Sequence, residues 1–104
     1  MKIPFMKAQG AGNDFIIVDK NVDFIRKSKK VIKRLCDRRF GVGCDQLILL
    51  KKISSYYQVT FYNSDGSLGK NCGNGLRCAY KFLVEVKKVK KAVSDSPDII
   101  LDYI

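Results

Sequence analysis

Gln46-Leu47-Ile48-Leu49-Leu50-Lys51 and Tyr57-Gln58-Val59-Thr60-Phe61-Tyr62 are the two stretches that decide the fold. The first is an unbroken apolar run of strand length and reads as a buried strand; the second alternates apolar with polar residues, the period-two signature of a strand. Asn63-Ser64-Asp65-Gly66 closes the second as a turn. Upstream, Gly41-Val42-Gly43-Cys44-Asp45 is a tight turn. Before it, Ser28 is placed to cap a helix running to about Arg39, with Val31, Ile32 and Leu35 facing inward and Gly41 ending it. Ile3 to Gln9 and Asp14 to Asp19 are short apolar segments joined by Gly10-Ala11-Gly12-Asn13, which predicts two strands around a glycine turn. Downstream, Leu76, Ala79, Tyr80, Leu83, Val84 and Val86 fall mostly at three- and four-residue intervals and predict an amphipathic helix. A charged stretch, Lys87 to Lys91, and a final strand from Ile99 to Ile104 complete an α+β chain in one domain.

Bulk properties narrow the classes. The 104 residues fit a single domain with a modest core, without internal repeats or a low-complexity linker. No stretch approaches the roughly 18 to 20 apolar residues of a membrane span, and the N-terminus lacks the apolar core of a signal peptide, so the cytoplasm is the expected location. Cysteines stand at 36, 44, 72 and 78 with no C-x-x-C pair, and the chain has no histidine. Reduced thiols and no structural metal are therefore expected. The net charge of +10 is concentrated in Arg26 to Arg39 and Lys87 to Lys91. A basic chain of this size can bind nucleic acid through its phosphates. Without a zinc finger, an RNP-type aromatic strand or a G-x-x-G loop, both runs read as solvated helix faces, and nucleic acid is not the expected partner.

The chemistry points to Asn71-Cys72-Gly73-Asn74-Gly75-Leu76-Arg77-Cys78, where a loop feeds the predicted helix. Unpaired N–H groups and the positive end of the helix dipole favour an anion there, whether a Cys72 thiolate or a bound carboxylate. A thiol so placed has its pKa drawn down from about 8.5, which prepares it as base or nucleophile. Free cysteine is commonly a buried packing residue. Here Gly73 and Gly75 let a ligand approach the backbone, and Asn74 offers both a donor and an acceptor. Asn13, Gln46, Asn63 and Asn74 each stand at or beside the end of a predicted element. Singly, each reads as a turn residue satisfying its own backbone; as a set converging with Cys72, they present neutral hydrogen-bonding groups to a small polar ligand.

Gly10-Ala11-Gly12-Asn13-Asp14-Phe15, Arg38-Arg39-Phe40-Gly41-Val42-Gly43-Cys44-Asp45-Gln46, Phe61-Tyr62-Asn63-Ser64-Asp65-Gly66-Ser67 and Cys72-Gly73-Asn74-Gly75-Leu76-Arg77-Cys78 occur in the order and spacing of diaminopimelate epimerases, which the chain resembles from Phe5 to about Phe82. The resemblance is to the N-terminal half of those enzymes. It implies a mixed, mostly antiparallel sheet wrapped around a central helix, one half of a pseudo-symmetric two-domain fold, with residues 1–104 as the first domain. It also implies cofactor-free inversion of LL-diaminopimelate to the meso isomer, an isomerase step toward lysine and peptidoglycan. In that chemistry one cysteine, as thiolate, removes the α-proton while a second delivers a proton to the opposite face. Cys72 matches the first-domain cysteine; Asn13, Gln46 and Asn63 match substrate-binding positions; Gly73 and Asn74 match the segment whose N–H groups hold the α-carboxylate.

Departures from the family pattern are Leu68, where a glutamate is usual, and Ala8 and Ala11, where bulkier residues stand. The partner cysteine, and the arginine and glutamate that grip the α-groups, belong to the second half in the family. Cys36 in a core-facing helix, Cys44 in a turn and Cys78 on the same helix as Cys72 match no second catalytic motif. This polypeptide alone is therefore expected not to epimerise at a useful rate. Pairing of two copies or a companion C-terminal half would complete it. A truncated remnant without catalysis, or a module binding a ligand or an acidic polymer, are the alternatives. Self-association is the default expectation, since an apolar face left by the sister domain drives it and Ile99, Ile100, Leu101, Tyr103 and Ile104 form an unpaired segment able to extend a neighbour's sheet.

Overall fold

Phe15-Ile16-Ile17-Val18 and Leu47-Ile48-Leu49-Leu50 are apolar at every position because they are covered on both faces, and all eight side chains are at most 1 % exposed. They form the central strands of a computed structural model that describes residues 3–10, 12–54, 56–70, 73–85, 91–94 and 100–102. The described elements, in chain order, are β1 (Met6–Gly10), β2 (Asn13–Val18), α1 (Val22–Arg26), α2 (Lys29–Cys36), β3 (Gln46–Ile53), β4 (Tyr56–Asn63), α3 (Gly73–Glu85), β5 (Lys91–Ser94) and β6 (Ile100–Asp102). The strands make one sheet in sequential order. Pairs β1–β2, β3–β4 and β5–β6 are antiparallel, and β2–β3 and β4–β5 are parallel.

That order fixes where the helices go. Both parallel pairs need a crossover, and the chain steps across the sheet in the same sense each time, yet β2–β3 and β4–β5 point in opposite directions. Right-handed crossovers must then lie on opposite faces. Accordingly α1 and α2 cover Ile16, Val18, Leu47, Leu49 and Tyr62 with Val22, Ile25, Ile32 and Cys36. On the other face α3 covers Phe15, Ile17, Ile48, Leu50, Val59 and Phe61 with Ala79, Phe82 and Leu83.

Several boundaries differ from the sequence reading for identifiable reasons. Ser28 does cap α2, its Oγ accepting the Val31 N–H at 3.2 Å. The helix ends at Cys36 rather than near Arg39, because the Asp37 carboxylate takes the N–H groups of Arg39 and Phe40 at 2.8 and 2.9 Å and turns the chain. The Val42 and Gly43 N–H groups then donate to Leu35 O, closing the helix end. The first strand starts at Met6, and β3 runs on to Ile53. Helix α3 begins at Gly73, three residues before the expected Leu76, and its inner face uses Gly75 and Phe82 while Tyr80 and Val84 are only half-buried. Helix α1 and strand β5 had no sequence expectation. The C-terminal segment is not unpaired: β6 lies antiparallel to β5, with Ala92 opposite Leu101. Ile99, Tyr103, Ile104, Val86 and Lys87 to Lys90 lie outside the described residues.

Candidate functional site

Strands β2 and β3 start, and β4 ends, at the same end of the sheet, with Phe15 opposite Gln46 and Gln46 opposite Asn63. Alternation along each strand then decides which face each terminal side chain takes. Asn13 shares its face with Phe15 and Ile17, Gln46 with Ile48 and Leu50, and Asn63 with Phe61 and Val59, all on the face under α3. Each of these columns is apolar through the core and ends in a carboxamide.

The first turn of α3 closes over the same end. Asn74 Nδ2 donates to Asn13 Oδ1 at 3.3 Å, and Gln46 Nε2 donates to Asn63 Oδ1 at 3.4 Å. The four carboxamides therefore form two hydrogen-bonded pairs at one end and on one face. Gly75 lets the helix come this close: a Cβ there would fall 2.4 Å from Phe61 Cε2 and 3.1 Å from Phe15 Cε1. Asn63 is braced from behind, its Nδ2 donating to Ser67 Oγ at 3.0 Å, and Ser67 is held in turn by Asp65. Gly69 donates its N–H to Phe61 O, and a Cβ on it would lie 3.0 Å from Asn63 Oδ1 and 3.1 Å from Gln46 Nε2.

Helical geometry leaves the leading N–H groups of α3, beginning at Gly73, without carbonyl partners inside the helix, so this end of the sheet meets a cluster of donors that suits an anion. The arrangement is rich in both donors and acceptors, with Arg77 donating to Asn74 Oδ1 on one side and Asn13 Nδ2 donating to Asp45 at 3.5 Å on the other, fit to hold a small zwitterion. Cys72, which directly precedes Gly73 in sequence, lies outside the described residues, as does Asn71. The three described cysteines are free thiols. Cys36 and Cys44 sit in the core on the opposite face with their sulfurs 3.4 Å apart; the hydrogen bond with Cys44 and burial push the Cys36 thiol well above the usual range. Cys78 turns to β1, with Sγ 3.5 Å from Gln9 O.

Behind the carboxamides lies a charged cluster that the sequence reading quoted within its motifs without giving it a role. Asp14 and Asp45 take the α1/α2 face, next in sequence to Asn13 and Gln46. Arg38 donates to both Asp14 oxygens at 2.8 and 2.9 Å and to Asp45 at 3.1 Å, and Lys7 reaches Asp14 at 2.8 Å. The Arg38 and Lys7 charges hold the Asp14 carboxyl far below the usual carboxylate range. Gln9, Gly12, Asn13, Asp14, Arg38 and Asp45 line a cleft of about 370 Å³ on this side. A larger cleft of about 800 Å³ lies between α2 and the turn at Arg38, Arg39 and Phe40. It is walled by lysine and arginine stems and contains none of the four carboxamides.

A family model described as diaminopimelate epimerase matches residues 5–96. The chain is similar to the diaminopimelate epimerase of Leptospira biflexa, 44 % identical over 86 residues that cover 82 % of this chain and 31 % of that protein. It is equally similar to that of Flavobacterium psychrophilum, 44 % identical over 81 % of this chain and 34 % of the relative. To that of Prochlorococcus marinus it is 38 % identical across the whole chain and 40 % of the relative. The chain thus spans about a third of the length of the curated relatives it matches.

Proposed function

The chain belongs to the diaminopimelate epimerase family, and from that premise we propose that its carboxamide cluster binds the α-amino-acid end of LL-diaminopimelate and that Cys72 is the base that takes the α-proton. The observation that carries this reading is the meeting of Asn13, Gln46, Asn63 and Asn74 as two hydrogen-bonded pairs beside the start of α3. Cys72 is the residue immediately before that start.

An α-proton of an amino acid is very weakly acidic, so its removal requires that the negative charge spreading onto the carboxylate meet fixed donors. The N–H groups from Gly73 and Asn74 supply them without reorganising. The Cys72 thiolate takes the α-proton and becomes a thiol; a second thiol on the opposite face returns a proton to carbon and becomes a thiolate. Protons balance, the centre inverts, and no cofactor takes part. The second thiol comes from the other half of a pseudo-symmetric two-domain arrangement, supplied by a companion segment or a second copy. Each half of that arrangement wraps its sheet around a central helix. The product feeds lysine and peptidoglycan precursor synthesis in the cytoplasm.

Titration of LL-diaminopimelate into the ¹⁵N-labelled chain, followed by the side-chain carboxamide signals, tests the binding. Shifts at Asn13, Gln46, Asn63 and Asn74 are expected; unmoved signals at saturating ligand overturn the site. In D₂O the ligand's α-proton signal is expected to fade with the wild-type chain and persist with Cys72→Ala. Equal fading in both overturns the role of Cys72.

A further inference from the structure

We infer that Arg38 is a positioning residue for the carboxamide site, clasping the backs of the two strands that present Asn13 and Gln46. Only the ligand arm of its test rests on the reading above; the clasp itself is geometry. Arg38 touches neither carboxamide pair, but both of its acceptors are immediate sequence neighbours of site residues: Asp14 follows Asn13, and Asp45 precedes Gln46. The two aspartates also bond each other's backbone across the parallel pair. The Asp45 N–H donates to Asp14 Oδ1 at 2.9 Å, and the Asp14 N–H donates to Asp45 Oδ2 at 3.0 Å. These bonds lie one step before the ladder that begins with Phe15 opposite Gln46.

The clasp therefore ties β2 to β3 just before their ladder begins, and it reaches the site directly at one point, where Asn13 Nδ2 donates to Asp45 Oδ2 at 3.5 Å. Remove its guanidinium and two carboxylates are left side by side, Asp14 with Lys7 and Asp45 with only the neutral donors of Asn13 and the Asp14 N–H. Like charges so close repel, the strand ends separate, and the carboxamides on their far side turn out of register. Lysine cannot replace the fork, since a single ammonium does not grip both oxygens of Asp14 while reaching Asp45.

The experiment compares ¹H–¹⁵N spectra of the full chain, wild type, Arg38→Met and Arg38→Lys, and then titrates each with LL-diaminopimelate. In Arg38→Met the Asn13 and Gln46 carboxamide signals are expected to move before any ligand is added, while backbone amides of α1 and of the middle of β4 stay in place. LL-diaminopimelate is expected to bind roughly tenfold or more weakly, the equivalent of one well-placed hydrogen bond. Arg38→Lys should recover only part of either effect. Carboxamide signals unmoved in a folded Arg38→Met chain overturn the proposal, as does full recovery by lysine. Should Arg38→Met fail to fold, Asp14→Asn weakens the bidentate arm of the clasp, and the Gln46 carboxamide, which touches neither Arg38 nor Asp14, decides the same question. Failure of wild type to bind LL-diaminopimelate overturns the functional reading alone, because the ligand-free shifts report on the clasp by themselves.

Discussion

At one end of the sheet, the two faces of the same strands carry opposite chemistry. Under α3, neutral carboxamides meet at 3.3 and 3.4 Å. One residue away along each strand, on the α1/α2 face, charged groups meet at 2.8 to 3.1 Å, with Asp14 held by Arg38, Lys7 and the Asp45 backbone together. Charge-assisted bonds are shorter and roughly twice as strong as neutral ones. The tight face is thus suited to holding the strand ends, and the loose face to exchanging its internal bonds for those of a ligand. The alternation of the strands keeps the two jobs adjacent, and they meet at one long bond, from Asn13 Nδ2 to Asp45 Oδ2 at 3.5 Å.

Breaking the support beneath the loose face should have the largest effect. Phe61 is 1 % exposed and its ring lies against Gly75 at the start of α3. Phe61→Ala is expected to cost about 3–5 kcal/mol, a large part of the roughly 5–15 kcal/mol that holds a domain of this kind. A urea titration reads this directly, and a loss below about 1 kcal/mol would mean that α3 does not depend on the ring. In whatever fraction stays folded, the Asn74 carboxamide should lose its native shift before the Asp14 cluster is disturbed.

The comparison sharpens when one residue is changed on each face. Asp14→Asn is expected to lower stability by roughly 2 kcal/mol, since it weakens bonds to two cations and to a backbone N–H. Gln46→Ala should cost about 1 kcal/mol or less in urea, while weakening LL-diaminopimelate binding about tenfold. The two variants should thus separate stability from binding. If Gln46→Ala proves the more destabilising, the carboxamides are scaffold and the division of labour between faces is wrong.

How much of this was legible in the sequence follows from how far apart the interacting residues lie. The alternation from Tyr57 to Tyr62 and the apolar runs at Phe15 and Leu47 are local patterns, and the strands stand where they predict. The four carboxamides could be picked out for the same reason, each standing at the end of a local element. The clasp could not: Asp14 and Asp45 are 31 residues apart, and only the parallel pairing of β2 with β3 brings them together. Helix α1 has five residues and is entered through Asn21 in the left-handed region, with no side-chain cap to announce it. Strand β5 opens within a lysine run, and its pairing with β4 is wholly non-local.

Acid distinguishes the faces next. Asp14 titrates in the folded chain well below its ordinary value because of Arg38 and then Lys7. A depressed folded pKa contributes stability that is fully present above the unfolded value of about 4 and is lost as pH falls through the folded one. The urea midpoints of wild type and Asp14→Asn should therefore differ most near neutrality and draw together below about pH 4. A gap that stays constant from pH 7 to pH 2.5 would show that the Asp14 charge contributes nothing and that asparagine acts only through shape.

The smallest effect is expected at an ion pair that looks equally good by distance. Lys51 Nζ lies 2.7 Å from Asp23 Oδ1, no longer than the bonds from Arg38 to Asp14. What differs is the surroundings. The difference is in the carboxylates and not the cations: the Asp23 side chain is 60 % exposed and that of Asp14 15 %, while Arg38 is 59 % exposed and Lys51 38 %. Water solvates the separated charges of an exposed pair almost as well as the pair solvates itself, salt screens what remains, and holding two flexible side chains together opposes the gain. Lys51→Met should therefore leave the urea midpoint within measurement scatter at physiological ionic strength, with any difference confined to low salt. If it lowered the midpoint as far as Asp14→Asn does, separation alone would govern these pairs, and the strength assigned to the clasp could no longer be attributed to the shielding of Asp14 and its several donors.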